Sequence, residues 1–231
     1  MGRKPVLELT GAIYSEEESG EERITFHFPF AMFGLPDFSK RESPSFERPY
    51  TVAYLVSNCV RRREDLFRMI LERTSHQVTH SLGRCSNNLR GIEKMNREVG
   101  KHVRSYSNST HNPFIFKHYK FALVMENSIG EGYVTEKIVN AILGGAVPIY
   151  WGGGKYTNQV FNPKAMIRVE DFKSLDECAS RVVELSKNRK EYEKIASAFP
   201  FVGNEIPDIF KKQHSELIRE VASLMRKRVR I

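Results

Sequence analysis

The sequence predicts an α/β protein: a Rossmann-like, doubly wound and mainly parallel sheet over residues 51–231, behind a short irregular segment over residues 1–50. Three observations carry this reading. Apolar runs of strand length, rich in β-formers, alternate with stretches at helical spacing, the pattern of βαβ units. Glycines and capping residues punctuate the joins between the two kinds of segment. Polar or glycine-bearing loops follow the strands, where an open α/β sheet carries its ligands.

Residues 1–50 hold an acidic run at Glu16–Glu18, Glu21 and Glu22, then an aromatic stretch from Ile24 to Phe33 and a loop marked by Pro36, Pro44 and Pro49. Thr51–Ser57 reads as the first strand. A polar loop over Asn58–Arg63 leads into a helix carrying Leu66, Phe67, Ile70 and Leu71 on one face. Gln77–His80 is a weaker strand before a turn at Gly83, and residues 86–112 are polar. Tyr119–Met125 is a second buried-type strand, followed by a glycine-bearing loop and a helix over about Thr135–Leu143 that Gly144 and Gly145 end. Strands follow at Ala146–Trp151 and Ala165–Val169. Ser174-Leu-Asp-Glu177 has the form of a capping box and opens a helix to about Leu185. Further helices are expected over Lys190–Ala198 and Asp208–Arg228.

Composition sets outer bounds. A chain of 231 residues with 40% apolar and 11% aromatic content can bury a core. Its net charge of +8 favours an anionic partner, although a solvated basic surface has the same composition. A nucleic-acid partner is not expected, because no recognition motif with interleaved aromatics accompanies that charge. No run approaches the roughly 18–20 apolar residues of a membrane span, and no signal peptide or anchor is read at the N-terminus. Of the three cysteines, Cys59, Cys85 and Cys178, none forms a metal-type pair, so free structural thiols are expected, with a single bridge still open. No metal site is expected, since the histidines share no ligand spacing on one element. Asn108-Ser-Thr is a glycosylation sequon if the chain enters the secretory route.

The segment from Glu126 to Lys137 carries the chemistry. Gly130 and Gly132 permit close backbone approach to a ligand. Thr135 reads as an N-cap, so the following helix offers N–H groups and the positive end of its dipole. Lys137 adds a charge suited to a diphosphate, and Glu136 can accept hydrogen bonds from sugar hydroxyls. Phosphate and sugar chemistry together suggest a nucleotide sugar. A capped helix start behind an ordinary turn has the same residues, and spacing alone does not choose.

Tyr119-Lys-Phe-Ala-Leu-Val-Met-Glu-Asn-Ser128 with Gly132-Tyr-Val-Thr-Glu-Lys137 resembles the YKF-x-L-x-FENS-x-x-x-x-YVTEK pattern of α-1,3/4-fucosyltransferases. Ala146-Val-Pro-Ile-Tyr-Trp-Gly152, Phe161-Asn-Pro-Lys164 and Val169-Glu-Asp-Phe172 are similar to the segments that follow in that family. Val56-Ser-Asn-Cys59 with Arg63, and Gly83-Arg-Cys85, are similar to its first donor-domain strand and turn. Met125 stands where the family has Phe, a swap that conserves volume. The resemblance covers roughly residues 51–200 and implies the C-terminal, donor-binding half of a GT-B glycosyltransferase.

It also implies roles. Arg63 and Lys137 would neutralise the diphosphate of GDP-fucose, so that no metal or other cofactor is required. Asn127 and Tyr133 would hold the phosphates and adjoining sugar, and Glu136 sugar hydroxyls, with Asn58, Glu126 and Thr135 as further donor-site residues. The implied reaction moves fucose from GDP-fucose to an oligosaccharide or glycoprotein acceptor, with an α-1,3 linkage to an N-acetylglucosamine-type residue and inversion at the anomeric carbon. The family's general base lies in an N-terminal acceptor domain, and no local pattern selects a carboxylate in residues 1–50, so none is assigned. The alternative is a sugar-nucleotide-binding protein impaired in catalysis, without most of the acceptor domain. The resemblance implies the Golgi or secretory pathway for a eukaryotic chain and the cytoplasm for a bacterial or viral one.

Overall fold

The computed structural model of the chain describes residues 7–10, 24–27, 36–86, 112–128, 130, 133–207 and 210. Two short strands, β1 (Leu7–Thr10) and β2 (Ile24–His27), pair in parallel within the segment expected to be irregular. The expected helix over Asp208–Arg228, the sequon at Asn108 and most of the polar stretch 86–112 lie outside the described residues.

The main sheet has five strands: β3 (Tyr50–Tyr54), β4 (Thr79–Ser81), β5 (Tyr119–Leu123), β6 (Val147–Tyr150) and β7 (Ile167–Arg168). Every pairing is parallel and the spatial order is β4-β3-β5-β6-β7. Parallel neighbours need crossovers, and the helical segments supply them. Helix α1 (Arg61–Arg73) joins β3 to β4, α2 (Asn112–Phe116) precedes β5, α3 (Glu136–Leu143) joins β5 to β6 and α4 (Gly154–Val160) follows β6. Helices α5 (Leu175–Lys187) and α6 (Arg189–Ala196) follow β7.

Alternation along each strand divides the core between the two faces. Val52, Tyr54, Phe121, Leu123, Val147 and Ile149 face α1 and α5, where Leu66, Phe67, Ile70, Cys178 and Val182 meet them. Ala53, Ala122 and Tyr150 face the other layer, with Ile115, Phe116, Ile138 and Val139 of α2 and α3. Strands covered on both sides read as unbroken apolar runs, which explains the expected strands. The runs overshoot the strands, however. Val124 and Met125 are buried beyond β5 because its path continues against β6, with Val124 N–H donating to Ile149 O at 3.0 Å.

The helix ends follow local chemistry. Thr135 accepts from Lys137 N–H and starts α3, while Gly145 at φ +64° ends it in the left-handed conformation. Its glycine is required: a Cβ there would lie 2.4 Å from Glu42 O. Ser174 accepts from Glu177 N–H at 3.1 Å as expected, but the Glu177 carboxylate reaches Lys173 N–H rather than the cap's own amide.

A buried arginine fastens residues 41–48 onto this frame. Arg48 Nη1 lies 3.1, 2.9 and 2.9 Å from the carbonyls of Phe116, Tyr119 and Gly144, and Nη2 donates to Ser43 O at 2.8 Å. It therefore serves the C-terminal carbonyls of both α2 and α3, where a cation also complements the helix dipoles.

The expectation of free thiols needs correction. Cys59 and Cys85 form a disulfide, and Cys178 alone is free, its thiol pushed up to about 12 by burial. The reason is topological. β3 and β4 are parallel neighbours, so their carboxyl ends exit side by side. The chain keeps pairing past them, with Arg84 N–H donating to Val56 O at 2.9 Å.

Two outcomes follow from these contacts. The disulfide closes a sequence separation of 26 residues, so replacing Cys59 and Cys85 by Ala is expected to cost ~3 kcal/mol of unfolding free energy in urea titration. His80 is buried, with Nδ1 2.8 Å from Tyr119 Oη, and burial holds its imidazole below the ordinary 6.5. Its folded pKa is depressed, so its contribution to stability is complete above pH 6.5 and is lost as pH falls through the folded value. Unfolding free energies from urea titration should fall from pH 7.5 to 5 with a slope of up to ~1.4 kcal/mol per pH unit, and His80→Gln should flatten that slope.

Candidate functional site

From β3 the chain steps to β4 on one side and then to β5 on the other, which makes the β3/β5 boundary the topological switch point. Open α/β sheets bind ligands outside the carboxyl ends of strands at this place. Two loops leave the sheet there, one after Tyr54 with Asn58 and Cys59, the other after Leu123 with Glu126 and Asn127. The loop after β6, with Trp151 and Gly152, lies beside the second, since Glu126 N–H donates to Trp151 O at 2.8 Å.

Glu126 is the centre of the arrangement. Its side chain has no exposed surface, yet both carboxylate oxygens are met by donors. Oε1 accepts from Thr135 N–H at 2.8 Å and from Tyr150 Oη at 3.3 Å. The Thr135 hydroxyl lies 3.0 Å from Oε1 and 2.8 Å from Oε2, and Lys137 Nζ lies 3.0 Å from Oε2. Lys137 Nζ also donates to Thr135 Oγ1 at 2.9 Å. The carboxylate thus caps the entry to α3 from outside the helix, at the end where its dipole favours negative charge. Burial, reinforced by the Glu126 charge, raises the Tyr150 hydroxyl well above the ordinary phenol value, so Tyr150 remains a donor.

Glycine makes the close packing possible. Gly152 has φ +146°, and a Cβ there would lie 2.5 Å from Glu126 Cγ. The backbone after β6 therefore rests directly on the carboxylate stem.

The expected site residues divide into two sets. Asn58 and Asn127 are exposed at the switch point, and Tyr133, Glu136 and Lys137 are half-buried around the start of α3. The Glu136 carboxylate has no hydrogen-bond partner among the described residues, and 19% of the Lys137 side chain is exposed. Thr135, Glu126 and Arg63 are buried. Arg63 is 1% exposed, with Nη1 donating to Met125 O at 2.9 Å and Nη2 to Asn58 O. In this conformation it stitches the two loops together behind the crevice rather than facing into it. Its position in the first turn of α1, which begins at Arg61 and not after Arg63, aims the side chain toward β5.

Sequence reasoning missed three contributors. The Arg62 guanidinium lies over the Trp151 ring, 4.7 Å from its centroid, and Arg62 is exposed. The three adjacent arginines were the only signal, and the helix register decides which faces out. Tyr150 and Gly152 entered only as parts of the strand Ala146–Trp151 and of the family-like run that ends at Gly152, although three consecutive glycines after a strand mark close backbone approach.

Comparison with known proteins agrees with this geometry. A family model described as glycosyltransferase family 10 (fucosyltransferase), C-terminal part, matches residues 46–197. The chain is 38% identical over 92 residues to the alpha-(1,3)-fucosyltransferase FucT of Helicobacter pylori, covering 40% of this chain and 19% of that one. It is 33% identical over 154 residues to the alpha-(1,4)-fucosyltransferase of Arabidopsis thaliana, covering 65% and 37%. A crystal structure of an alpha1,3-fucosyltransferase with GDP-fucose superposes with a TM-score of 0.52 at 26% identity, covering 72% of this chain and 45% of that one. The chain spans less than half the length of each of these proteins.

The Gly152 contact gives a direct check on the arrangement. Gly152→Ala puts a methyl group into the Glu126 stem at a φ that disfavours it, and is expected to lower unfolding free energy by about 2–4 kcal/mol in urea titration.

Proposed function

The chain belongs to glycosyltransferase family 10, the fucosyltransferases, and from that premise we propose that it binds GDP-fucose at the β3/β5 switch point and passes fucose to a glycan acceptor. The observation that carries the reading is the start of α3, where Lys137 stands partly exposed beside a helix N-terminus at the carboxyl end of β5. A diphosphate placed there meets the lysine ammonium and the helix dipole together.

As the acceptor hydroxyl attacks the anomeric carbon, negative charge grows on the departing GDP. Lys137 stabilises that charge more in the transition state than in the bound donor, which is the condition for catalysis. We assign Asn127 and Tyr133 to the phosphates and adjoining sugar and Glu136 to sugar hydroxyls. Asn58 lines the crevice and Thr135 presents the helix end. Arg62, exposed on Trp151, extends the positive edge, and Arg63 reaches the diphosphate by turning away from Met125 O. With these cations in place the reading calls for no further cofactor. The finer reading is an α-1,3 linkage to an N-acetylglucosamine-type residue with inversion, the general base lying outside the assigned residues.

The Cys59–Cys85 disulfide supports the secretory location over the cytoplasmic one, because such bonds persist in oxidising compartments. No helix among the described residues is long and apolar enough to cross a membrane.

Calorimetric titration tests donor binding. GDP should bind and UDP should bind more weakly. Lys137→Ala should reduce GDP affinity by about 10- to 100-fold, the effect of losing a charged hydrogen bond, while circular dichroism confirms the fold. Undiminished GDP binding by that variant would remove Lys137 from the site. Release of GDP from GDP-fucose on addition of a glycan acceptor tests transfer, and GDP binding without turnover would leave the chain as a binding protein.

A further inference from the structure

We propose that Glu126 is a positioning residue for Lys137: it never touches the donor, but holds the lysine ammonium at the start of α3 in the pose that meets the diphosphate. The inference rests on the donor reading above and changes the role of Glu126 from ligand contact to support.

Three observations argue for it. Glu126 has no exposed surface, and Thr135, Lys137 and Tyr150 engage both its oxygens, so no ligand atom reaches them. Lys137 has three N–H bonds, of which Glu126 Oε2 and Thr135 Oγ1 take two, leaving one for the crevice. Finally, Thr135 joins the carboxylate to both the ammonium and the backbone of α3, so the charge and the helix end move as one unit.

Electrostatics and positioning predict opposite signs here. A carboxylate 3.0 Å from the ammonium offsets its charge toward an incoming anion. If that were its main effect, neutralising Glu126 would tighten GDP binding. A lysine, however, carries four rotatable side-chain bonds, and fixing it only when the anion arrives weakens affinity by about tenfold. Anchoring by Glu126 removes that cost before binding. The saturated donor set around the carboxylate favours anchoring as the larger effect.

The test compares GDP affinity of the wild type, Glu126→Gln, Glu126→Asp, Lys137→Met and the Glu126→Gln/Lys137→Met double variant. Gln keeps an oxygen for Thr135 but loses the charge that holds the ammonium, and Asp keeps the charge but withdraws it by one methylene. Both single variants should bind GDP about tenfold more weakly. The double variant should lie within about twofold of Lys137→Met, because Glu126 reaches the diphosphate chiefly through the lysine. Tighter binding by Glu126→Gln, wild-type binding by Glu126→Asp, or full additivity in the double variant would each overturn the proposal.

Reductive methylation of Lys137, followed by mass spectrometry without nucleotide, reads the anchor independently. Its rate should rise severalfold in Glu126→Gln and Glu126→Asp while other lysines keep theirs, which also confirms that the variants fold. An unchanged rate would overturn the anchoring. A wild type that binds no GDP would instead remove the donor reading, with the methylation rates still reporting whether Glu126 holds Lys137.

Discussion

A carboxylate removed from water must be met by donors, and the neighbourhood of Glu126 is organised by that requirement. The charge would be prohibitive in an apolar interior, yet here the Thr135 amide and hydroxyl, the Lys137 ammonium and the Tyr150 hydroxyl surround it. Each donor comes from a different structural decision. Thr135 places α3, Tyr150 ends β6, and Lys137 sits in the first turn of the helix. The glycine at position 152 then brings the next stretch of backbone onto the carboxylate stem. One buried charge therefore fixes the mutual placement of β5, α3 and the exit from β6. Such a network is costly to leave half-made, since removing one partner strands the other charge.

Buried arginines do comparable work at the edges of this region. Arg63 bridges the loop after β3 to the exit from β5 through two carbonyls, and the Cys59–Cys85 disulfide ties the same loop to the turn after β4. The loop that forms one wall of the crevice is thus held on both sides, by a guanidinium toward β5 and by a covalent bond toward β4. At the opposite end of the sheet, Arg48 gathers the carbonyls of α2, α3 and β5. Burial pushes its guanidinium below the ordinary value, and it stays charged because the range of arginine lies so far above neutrality.

Much of the fold was legible because its causes are local. The apolar runs announced β3, β5 and β6, Thr135 announced α3, Gly144-Gly145 its end, and Ser174 the start of α5. Strand ends were less legible, because Val124 and Met125 are buried by neighbours the sequence does not place. The disulfide was hidden for the same reason: Cys59 and Cys85 meet only once β3 and β4 are known to be adjacent. The motif located the site, but not the direction of its side chains. Glu126 and Glu136 are both carboxylates of one segment, yet one lies under the helix start and the other stands half-exposed beside it. Among Arg61, Arg62 and Arg63, only the register of α1 against the sheet decides that Arg63 is buried and Arg62 lies on Trp151.

That division of labour has a physical consequence for how an anion would be received. A lysine or arginine on a free loop must be ordered by the ligand that it binds, and the cost of ordering comes out of the affinity. In this crevice much of the ordering is done beforehand, by buried groups. Lys137 is held from behind, α3 is capped from outside, and the loop of Asn58 is fastened at two points. Electrostatic stabilisation of a developing charge depends on such preorganisation, because dipoles that are already aligned need no reorganisation as the charge appears. The exposed residues of the segment would then select the ligand, while the buried ones determine how strongly the selected charge is felt.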